Sequence, residues 1–331
     1  MRKGITNPDL NEIFYMVTVL MVLQLSCSAS CECSNFRIAK KISMAKIILI
    51  TGTSTGIGLH TAALLAASGY TVYATMRNTS KKDELEQLTK DCAGNIHIMA
   101  LDVNIEKTIT DCIQAILEKE GRIDVLVNNA GAGFIRSVEQ ATMEEIENVM
   151  NVNFSGPIRC IRAVLPAMRE QHSGHIINVS SVGGLVGQPL NEIYCAAKFA
   201  LEGLTESIAT YLSPYFNIKT SIIEPAGVVT EFGNNIMNYV NSHGGILQDA
   251  YLPVVNDYMA YRQTFTDELK AKIFQTPQQV ANVIKDCVED AEPKLRYLTS
   301  SYAAEFTYLK SGLDPDGNKL QAIIRKKILD K

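Results

Sequence analysis

Residues 44–58 read MAKIILITGTSTGIG, a continuous apolar run that passes without interruption into a glycine-rich turn. The run IILIT is β-branched and shows no alternation, as expected of a strand whose two faces are both covered by helices. The turn, TGTSTGIG at 51–58, opens a helix. Gly52, Gly56 and Gly58 leave room for a pyrophosphate to approach the backbone. Thr53, Ser54 and Ile57 stand between them, and the helix N-terminus offers amide donors and a favourable dipole to the anion.

The same rhythm continues outward from this stretch. Short β-branched runs at 46–51, 70–75, 95–100, 123–127, 175–180, 218–223 and 294–298 alternate with amphipathic helical patterns. That alternation predicts an α/β fold, a doubly wound seven-stranded parallel sheet of Rossmann type, in a single domain over 44–331. The one long departure is 231–276, rich in Tyr, Asn and Gly and weak in helical pattern, which predicts a substrate lid between the sixth and seventh strands.

Composition narrows the classes further. The 331 residues are 47% hydrophobic and 20% charged, enough apolar material for a large core and outside the range of disordered chains. Lys and Arg number 31 against 35 Asp and Glu, so no polycationic face is offered to a phosphate backbone and nucleic acid is not expected as a partner. Of eight cysteines, Cys27, Cys31 and Cys33 crowd near the start. Cys92, Cys112, Cys160, Cys195 and Cys287 form no C-x-x-C pair or His-containing cluster, so no metal is expected and they read as reduced, buried thiols of a cytoplasmic protein.

Residues 1–43 differ in kind. Arg2 and Lys3 precede an apolar run at 13–25 and then small polar residues, the layout of a signal sequence, yet the run falls short of the roughly 20 residues a spanning helix needs. Two readings stand: a signal or membrane anchor, or a dispensable extension ahead of a domain that begins at Met44.

Four side chains further along carry potential chemistry. Tyr194 and Lys198 are four apart in YCAAK and share one face of a helix. A phenol near its ordinary pKa of about 10 is a poor base at neutral pH, and bringing it near 7 takes roughly 4 kcal/mol of preferential stabilisation of the phenolate. A neighbouring ammonium can contribute to that. Ser181 follows the fifth strand in INVSS, where its hydroxyl can donate to a substrate oxygen and polarise a carbonyl. Asn153 lies in NVNFSG. Singly, each has a plain structural use as core-edge ring, solvated charge, cap or helix break. In this order and beside a phosphate-binding turn, they read as a proton-transfer set.

The G-x-x-x-G-x-G spacing at 52–58, NNAG at 128–131, Asn153, and Ser181 thirteen positions before Tyr194 in YCAAK together make the chain, from about residue 44 onward, similar to the short-chain dehydrogenase/reductase family. The resemblance implies a nicotinamide dinucleotide cofactor and catalysis by Ser181, Tyr194 and Lys198, with Asn153 holding the water and backbone that link Lys198 to solvent. It implies that Asn129, Ala130 and Gly131 border the cofactor, that Asp102 meets the adenine, and that Val228 and Thr230 in SIIEPAGVVTEF contact the nicotinamide amide. No carboxylate ends the second strand. Arg77 stands there, helped by the Thr53 and Ser54 hydroxyls, so NADP(H) is expected, with NAD(H) the alternative.

VYATMRN, the stretch around YCAAK and the late PKLRYLTS resemble the branch that contains 17β-hydroxysteroid dehydrogenase type 1 and the photoreceptor-type retinol dehydrogenases. That implies a small hydrophobic alcohol or carbonyl substrate, a retinoid or a steroid, and a homodimer joined through helices at 148–169 and 194–212. Steroid-specific relatives use a His in the lid region, for which His243 is the candidate here. Two rival readings are a non-catalytic NADP-binding scaffold or sensor and a reductase of other small carbonyl compounds.

Overall fold

In the computed structural model, which describes residues 45–328, every residue of β1 (Ile47–Thr51) is buried. The apolar run at 13–25, whether signal, anchor or dispensable extension, and the domain start at Met44 lie outside the described residues. The side chains of β1 divide by parity: Ile47 and Leu49 enter one core, Ile48 and Ile50 the other. An unalternating apolar run is thus a strand with a hydrophobic layer on each side. From β1 the chain passes through α1 (Gly56–Ala67), β2 (Thr71–Met76), α2 (Asp83–Thr89), β3 (Asn95–Ala100), α3 (Glu106–Glu120), β4 (Val125–Asn128) and α4 (Met143–Met150). It continues through α5 (Gly156–Gln171), β5 (Gly174–Val179), α6 (Glu192–Phe216), β6 (Ile218–Glu224), β7 (Gly227–Val228), α7 (Glu231–Ser242), α8 (Leu252–Gln263) and α9 (Asp267–Ile273). The described part closes with β8 (Phe274–Gln275), α10 (Pro277–Glu289), β9 (Arg296–Leu298), α11 (Ser301–Ser311) and α12 (Asn318–Ile328).

Seven strands pair in the order β3-β2-β1-β4-β5-β6-β9, all parallel, and they are the seven read from the sequence. α3, α5 and the later part of α6, through Ile208 and Leu212, bury their apolar stripes on one face of this sheet. α1, α2 and α10 cover the other. The order of connection reverses between β1 and β4, so a crevice opens at the carboxyl ends of the strands there.

The segment 231–276 departs from its weak helical pattern and folds as α7, α8 and α9. The reason lies in the helix starts. Thr230 accepts from the Phe232 amide at 3.2 Å, Thr266 from the Leu269 amide at 3.2 Å, and α8 carries a proline in its first turn. β7 and β8 pair in parallel and tie the two ends of this segment together. Two-residue strands leave no periodic signal to read. All five described cysteines are free. Among the described residues, no helix is long and apolar enough to cross a membrane.

Candidate active site

The turn after β1 is shaped by two left-handed glycines, Gly52 at φ +73° and Gly56 at φ +61°. A side chain on Gly52 would also meet the Ala130 backbone at 2.8 Å, and one on Gly58 would meet the Gly52 carbonyl oxygen at 2.2 Å. Asn129 fastens this turn to the end of β4. Its Nδ2 donates to the Thr51 and Gly52 carbonyls at 2.9 Å each, while Thr51 Oγ1 accepts from the Asn129 and Ala130 amides. Thr55, the N-cap of α1, makes no side-chain hydrogen bond to the helix, and no acidic residue occupies the first turn. The leading amides and the positive end of α1 are therefore left for an external anion.

A cavity of about 720 Å³ runs over the carboxyl ends of β1 to β6. Gly52, Ser54, Gly56 and Ile57 border it at the turn, Arg77 and Asp102 after β2 and β3, and Asn129, Ala130 and Gly131 after β4. Asn153, Ser181, Tyr194 and Lys198 border its reactive end, with Val228 and Thr230 opposite. Two of the sequence-predicted residues stay outside. Thr53 is fully buried, with its hydroxyl and its amide both given to the Thr75 carbonyl at 3.1 and 3.0 Å, so it has no donor left for a phosphate. Gly58 does not reach the cavity and serves the packing of α1 against the turn. Free glycine backbone, a helix N-terminus and an exposed Arg77 joined by Lys81 at the far margin fit the pyrophosphate and ribose of a dinucleotide.

At the reactive end, Tyr194 and Ser181 converge over the short turn Val182–Gly184. A side chain begun at Gly183 would lie 3.4 Å from both the Tyr194 ring and Ser181 Oγ. Ser181 Oγ accepts from the Gly183 amide at 3.0 Å, which leaves its own proton free to donate. Lys198, one helical turn beyond Tyr194, donates to the Val179 carbonyl at 3.0 Å and places Nζ 5.7 Å from the Tyr194 ring centre. Asn153 sits fully buried in a π-helical turn, Asn151–Ser155, between α4 and α5. Its Nδ2 donates to the Ala132 and Val149 carbonyls at 2.8 and 2.9 Å, and its Oδ1 accepts from the Ala132 amide at 3.2 Å. Asn153 Oδ1 and Lys198 Nζ face each other across Gly131, where a side chain would meet them at 3.0 and 3.8 Å.

Burial pushes the Tyr194 phenol up to about 12, against the opposing Ser181 hydroxyl. Burial also pulls the Lys198 ammonium down to about 8, against the opposing charge of Glu202. At neutral pH the phenol therefore holds its proton. Making it a base near pH 7 takes roughly 7 kcal/mol, more than the ordinary phenol would need.

The substrate-facing wall is built in part by the start of the segment that the sequence reads as a lid, 231–276. Phe232 and Ile236, one turn apart on α7, hang over Gly133 so closely that a side chain there would meet Ile236 at 2.3 Å and Phe232 at 2.7 Å. Phe232 meets Tyr194 edge-on with ring centres 5.9 Å apart, and Phe134 meets Tyr239 in the same manner at 6.3 Å. Glu145 and Val149 of α4 complete this end. His243 does not border the cavity. It stacks on Tyr239 at 3.9 Å, with Nδ1 2.9 Å from the Tyr239 carbonyl.

A doubly wound sheet with a glycine turn at its switch point, opening on a cavity that ends at a half-buried Tyr and a buried Lys, defines a dinucleotide-binding fold with a proton-transfer site. Comparison with known proteins agrees. Residues 46–240 match the short chain dehydrogenase family. The chain is 37% identical over 286 residues to retinol dehydrogenase 8 of Bos taurus, covering 82% of this chain and 87% of that one. It is 33% identical over 288 residues to 17-beta-hydroxysteroid dehydrogenase type 1 of Homo sapiens, covering 85% of each. Among solved structures, a short-chain dehydrogenase from Streptomyces avermitilis matches with a TM-score of 0.67 at 29% identity, over 86% of this chain and 97% of that one. The chain belongs to the short chain dehydrogenase family and is an oxidoreductase that uses a nicotinamide dinucleotide.

Proposed function

We propose that the protein is an NADP(H)-dependent oxidoreductase that interconverts an apolar alcohol and its ketone or aldehyde, with a retinoid or a steroid as substrate. The observation that carries this reading is the meeting of Tyr194, Ser181 and Lys198 at one end of a cavity whose other end carries the glycine turn and Arg77. When bound, the nicotinamide supplies or accepts the hydride. In reduction, the Ser181 hydroxyl donates to the carbonyl oxygen and draws charge toward it, and Tyr194 gives that oxygen its proton. The Lys198 ammonium, with Nζ 5.7 Å from the Tyr194 ring centre, stabilises the resulting phenolate. Asn153 clamps the Ala132 backbone and keeps Gly131 between its own Oδ1 and Lys198 Nζ, the side from which the proton is restored. Oxidation uses the same groups in reverse.

Three supports narrow the reading. Arg77 and Lys81 border the cavity after β2, where no carboxylate stands to take ribose hydroxyls. A charge-assisted pair to a 2'-phosphate contributes roughly 1.5–3 kcal/mol, which NAD forgoes. Asp102, whose Oδ1 accepts from the Asn104 amide at 2.9 Å, borders the cavity after β3, where the adenine is read to lie. The named relatives act in retinol and 17-beta-hydroxysteroid chemistry by their names, and a chamber walled by Phe134, Val149, Phe232 and Ile236 suits such flat, apolar molecules.

Beyond the site, the protein is read as a homodimer through α5 and α6, which lie on the face opposite α1, with Phe199, Tyr211 and Tyr215 exposed on α6. Its catalytic domain is read as beginning at Met44 and working in the cytoplasm, with 13–25 as the candidate membrane attachment. A turnover screen of retinal, estrone and aliphatic ketones with NADPH and NADH tests the function. Consumption of NADPH in preference to NADH with a retinoid or steroid carbonyl is expected, and no turnover with any carbonyl overturns the reading.

A further inference from the structure

A second set of charged side chains lies outside the cavity, beside its reactive end. Tyr194, Lys198 and Glu202 follow one another at intervals of four on α6 and share one face of it. Lys198 and Glu202 are both buried at the end of β5. Lys198 Nζ donates to the Val179 carbonyl at 3.0 Å. Glu202 lies by the next residue, Ser180, under Gly184, where a side chain would meet Ser180 Oγ at 2.7 Å and Glu202 Oε1 at 3.0 Å. Gly184 closes the turn over which Ser181 and Tyr194 converge, so Glu202 underlies the reacting groups without bordering the cavity.

One guanidinium cannot offset the acids gathered here. Arg296, at the start of β9, donates through Nη1 to Glu202 Oε2 at 2.5 Å and to Glu224 Oε1 at the end of β6, and through Nη2 to Glu206 Oε1. Burial pushes the Glu224 carboxyl up, and the charge of Glu202 pushes it further. Burial pushes Glu202 up as well, but Arg296 opposes it, so of the two Glu224 holds the proton and Glu202 the charge. Glu202 and Glu206 then stand against Arg296 alone, a surplus of buried charge that costs stability unless another cation answers it. Arg296 engages only Oε2 of Glu202, and Oε1 has no hydrogen-bond partner among the described residues, so fastening β9 to α6 does not use up this carboxylate. Among the described residues, the titratable and charged groups that face Glu202 are Lys198 on α6, Glu224 on β6 and Arg296 on β9, with Glu206 of α6 behind Arg296. Those that face Lys198 are Tyr194 and Glu202, beside the neutral Asn153 of the π-helical turn.

We infer that Glu202 is a positioning residue that acts through Lys198: its carboxylate, anchored by Arg296 one helical turn away, is the counter-charge that keeps the ammonium charged and in place beside Tyr194. The inference rests on the function proposed above and deepens it, because it names what governs the proton-transfer set. Burial works to strip Lys198 of its proton, and the phenolate formed when Tyr194 gives up its own would then have no cation beside it. The charge of Glu202 opposes that loss. Glu224 and Glu206 serve at one remove, the first by holding the proton that Glu202 does without and the second by sharing Arg296.

NMR of the protein labelled at its lysine side chains, with the Lys198 signal assigned through Lys198→Met, reads this titration without any turnover. The midpoint should stand at about 8 in the unsubstituted protein and roughly one pH unit lower in Glu202→Gln, which keeps an acceptor for Arg296. Glu202→Asp, which keeps the charge, and Glu224→Gln, which loosens the same Arg296 cluster, should each stay within about half a unit of the unsubstituted protein. An unmoved midpoint in Glu202→Gln, or an equal fall in Glu224→Gln, overturns the inference. Turnover with NADPH is measured alongside. The loss of kcat/KM in Glu202→Gln should be about tenfold greater at pH 9 than at pH 6, because the ammonium is lost earlier. A loss equal at both pH values is that of a merely structural residue and overturns the role. A lowered midpoint in a protein that reduces no carbonyl contradicts the proposed function and supports the counter-charge.

Discussion

At the cofactor end of the cavity the ligand-facing surface is mostly backbone: left-handed glycines, the open amides of α1, and carbonyls held by Asn129. At the substrate end it is side chain: Phe232, Ile236 and Tyr239 from α7 closing on Phe134 and on Glu145 from α4, with the Tyr239 and Glu145 contact spanning 94 positions. A backbone site needs glycine wherever a Cβ would intrude, so its design is written locally and tolerates little change. A side-chain wall can be rebuilt residue by residue without disturbing the sheet, which leaves it free to set which molecule enters. Tyr194 stands where the two ends meet.

The largest expected effect is at that junction. Tyr194→Phe should keep NADPH binding, because the ring still packs on Phe232, and should lower turnover by about 10²–10⁴-fold. Steady-state rates within tenfold of the unsubstituted protein would remove Tyr194 from the chemistry. At the backbone end, Arg77→Leu should raise KM for NADP by about 10- to 100-fold while leaving KM for NAD nearly unchanged. An equal rise for both cofactors would make Arg77 structural.

The pH dependence separates Tyr194 from Lys198. Burial lowers Lys198 to about 8, so the ammonium is lost as pH rises through that value, whereas the phenol keeps its proton to about 12. Since kcat/KM reports the free enzyme, kcat/KM for NADPH in carbonyl reduction should fall by about tenfold per unit above pH 8. Stability moves the other way. The folded pKa of Lys198 lies below that of the unfolded chain, so between about 8 and the ordinary 10.5 the unfolded state binds more protons and folding is favoured as pH rises. A parallel loss of activity and of thermal midpoint in that window would assign the limb to unfolding. The smallest effect is expected at the wall. Phe232→Ala removes an edge-to-face contact of about 0.5–1.5 kcal/mol and should raise KM for the carbonyl several-fold more than KM for NADPH.

How much of this the sequence disclosed follows the same division. Most of the seven strands were legible because they are apolar or β-branched runs bounded by helical pattern, and the glycine turn because its residues answer steric demands within seven positions. Thr53 was misread. Its place in the turn gave no sign that the Thr75 carbonyl takes its hydroxyl. Within 231–276 the sequence reading overlooked a stripe on α7, Phe232, Ile236, Tyr239 and Val240 at i, i+4, i+7 and i+8, whereas α8 has no apolar face and α9 is seven residues long, so their starts rest on a proline and on the Thr266 cap. Glu145 was invisible for a further reason. In MEEIENVM it reads as a first-turn acid in a capping box, which it is, and only the fold brings Tyr239 and Arg136 to the same carboxylate.

The central claim is that one cavity carries a hydride between a nicotinamide ring and a carbonyl carbon while Tyr194 moves the proton. Reduction of a ketone substrate with NADPH deuterated at the transferable position, followed by mass spectrometry of the alcohol, tests it most directly. The account predicts one deuterium on the carbinol carbon with the unsubstituted protein and almost no labelled alcohol with Tyr194→Phe. Alcohol formed without deuterium, or labelled equally fast by the variant, would contradict it.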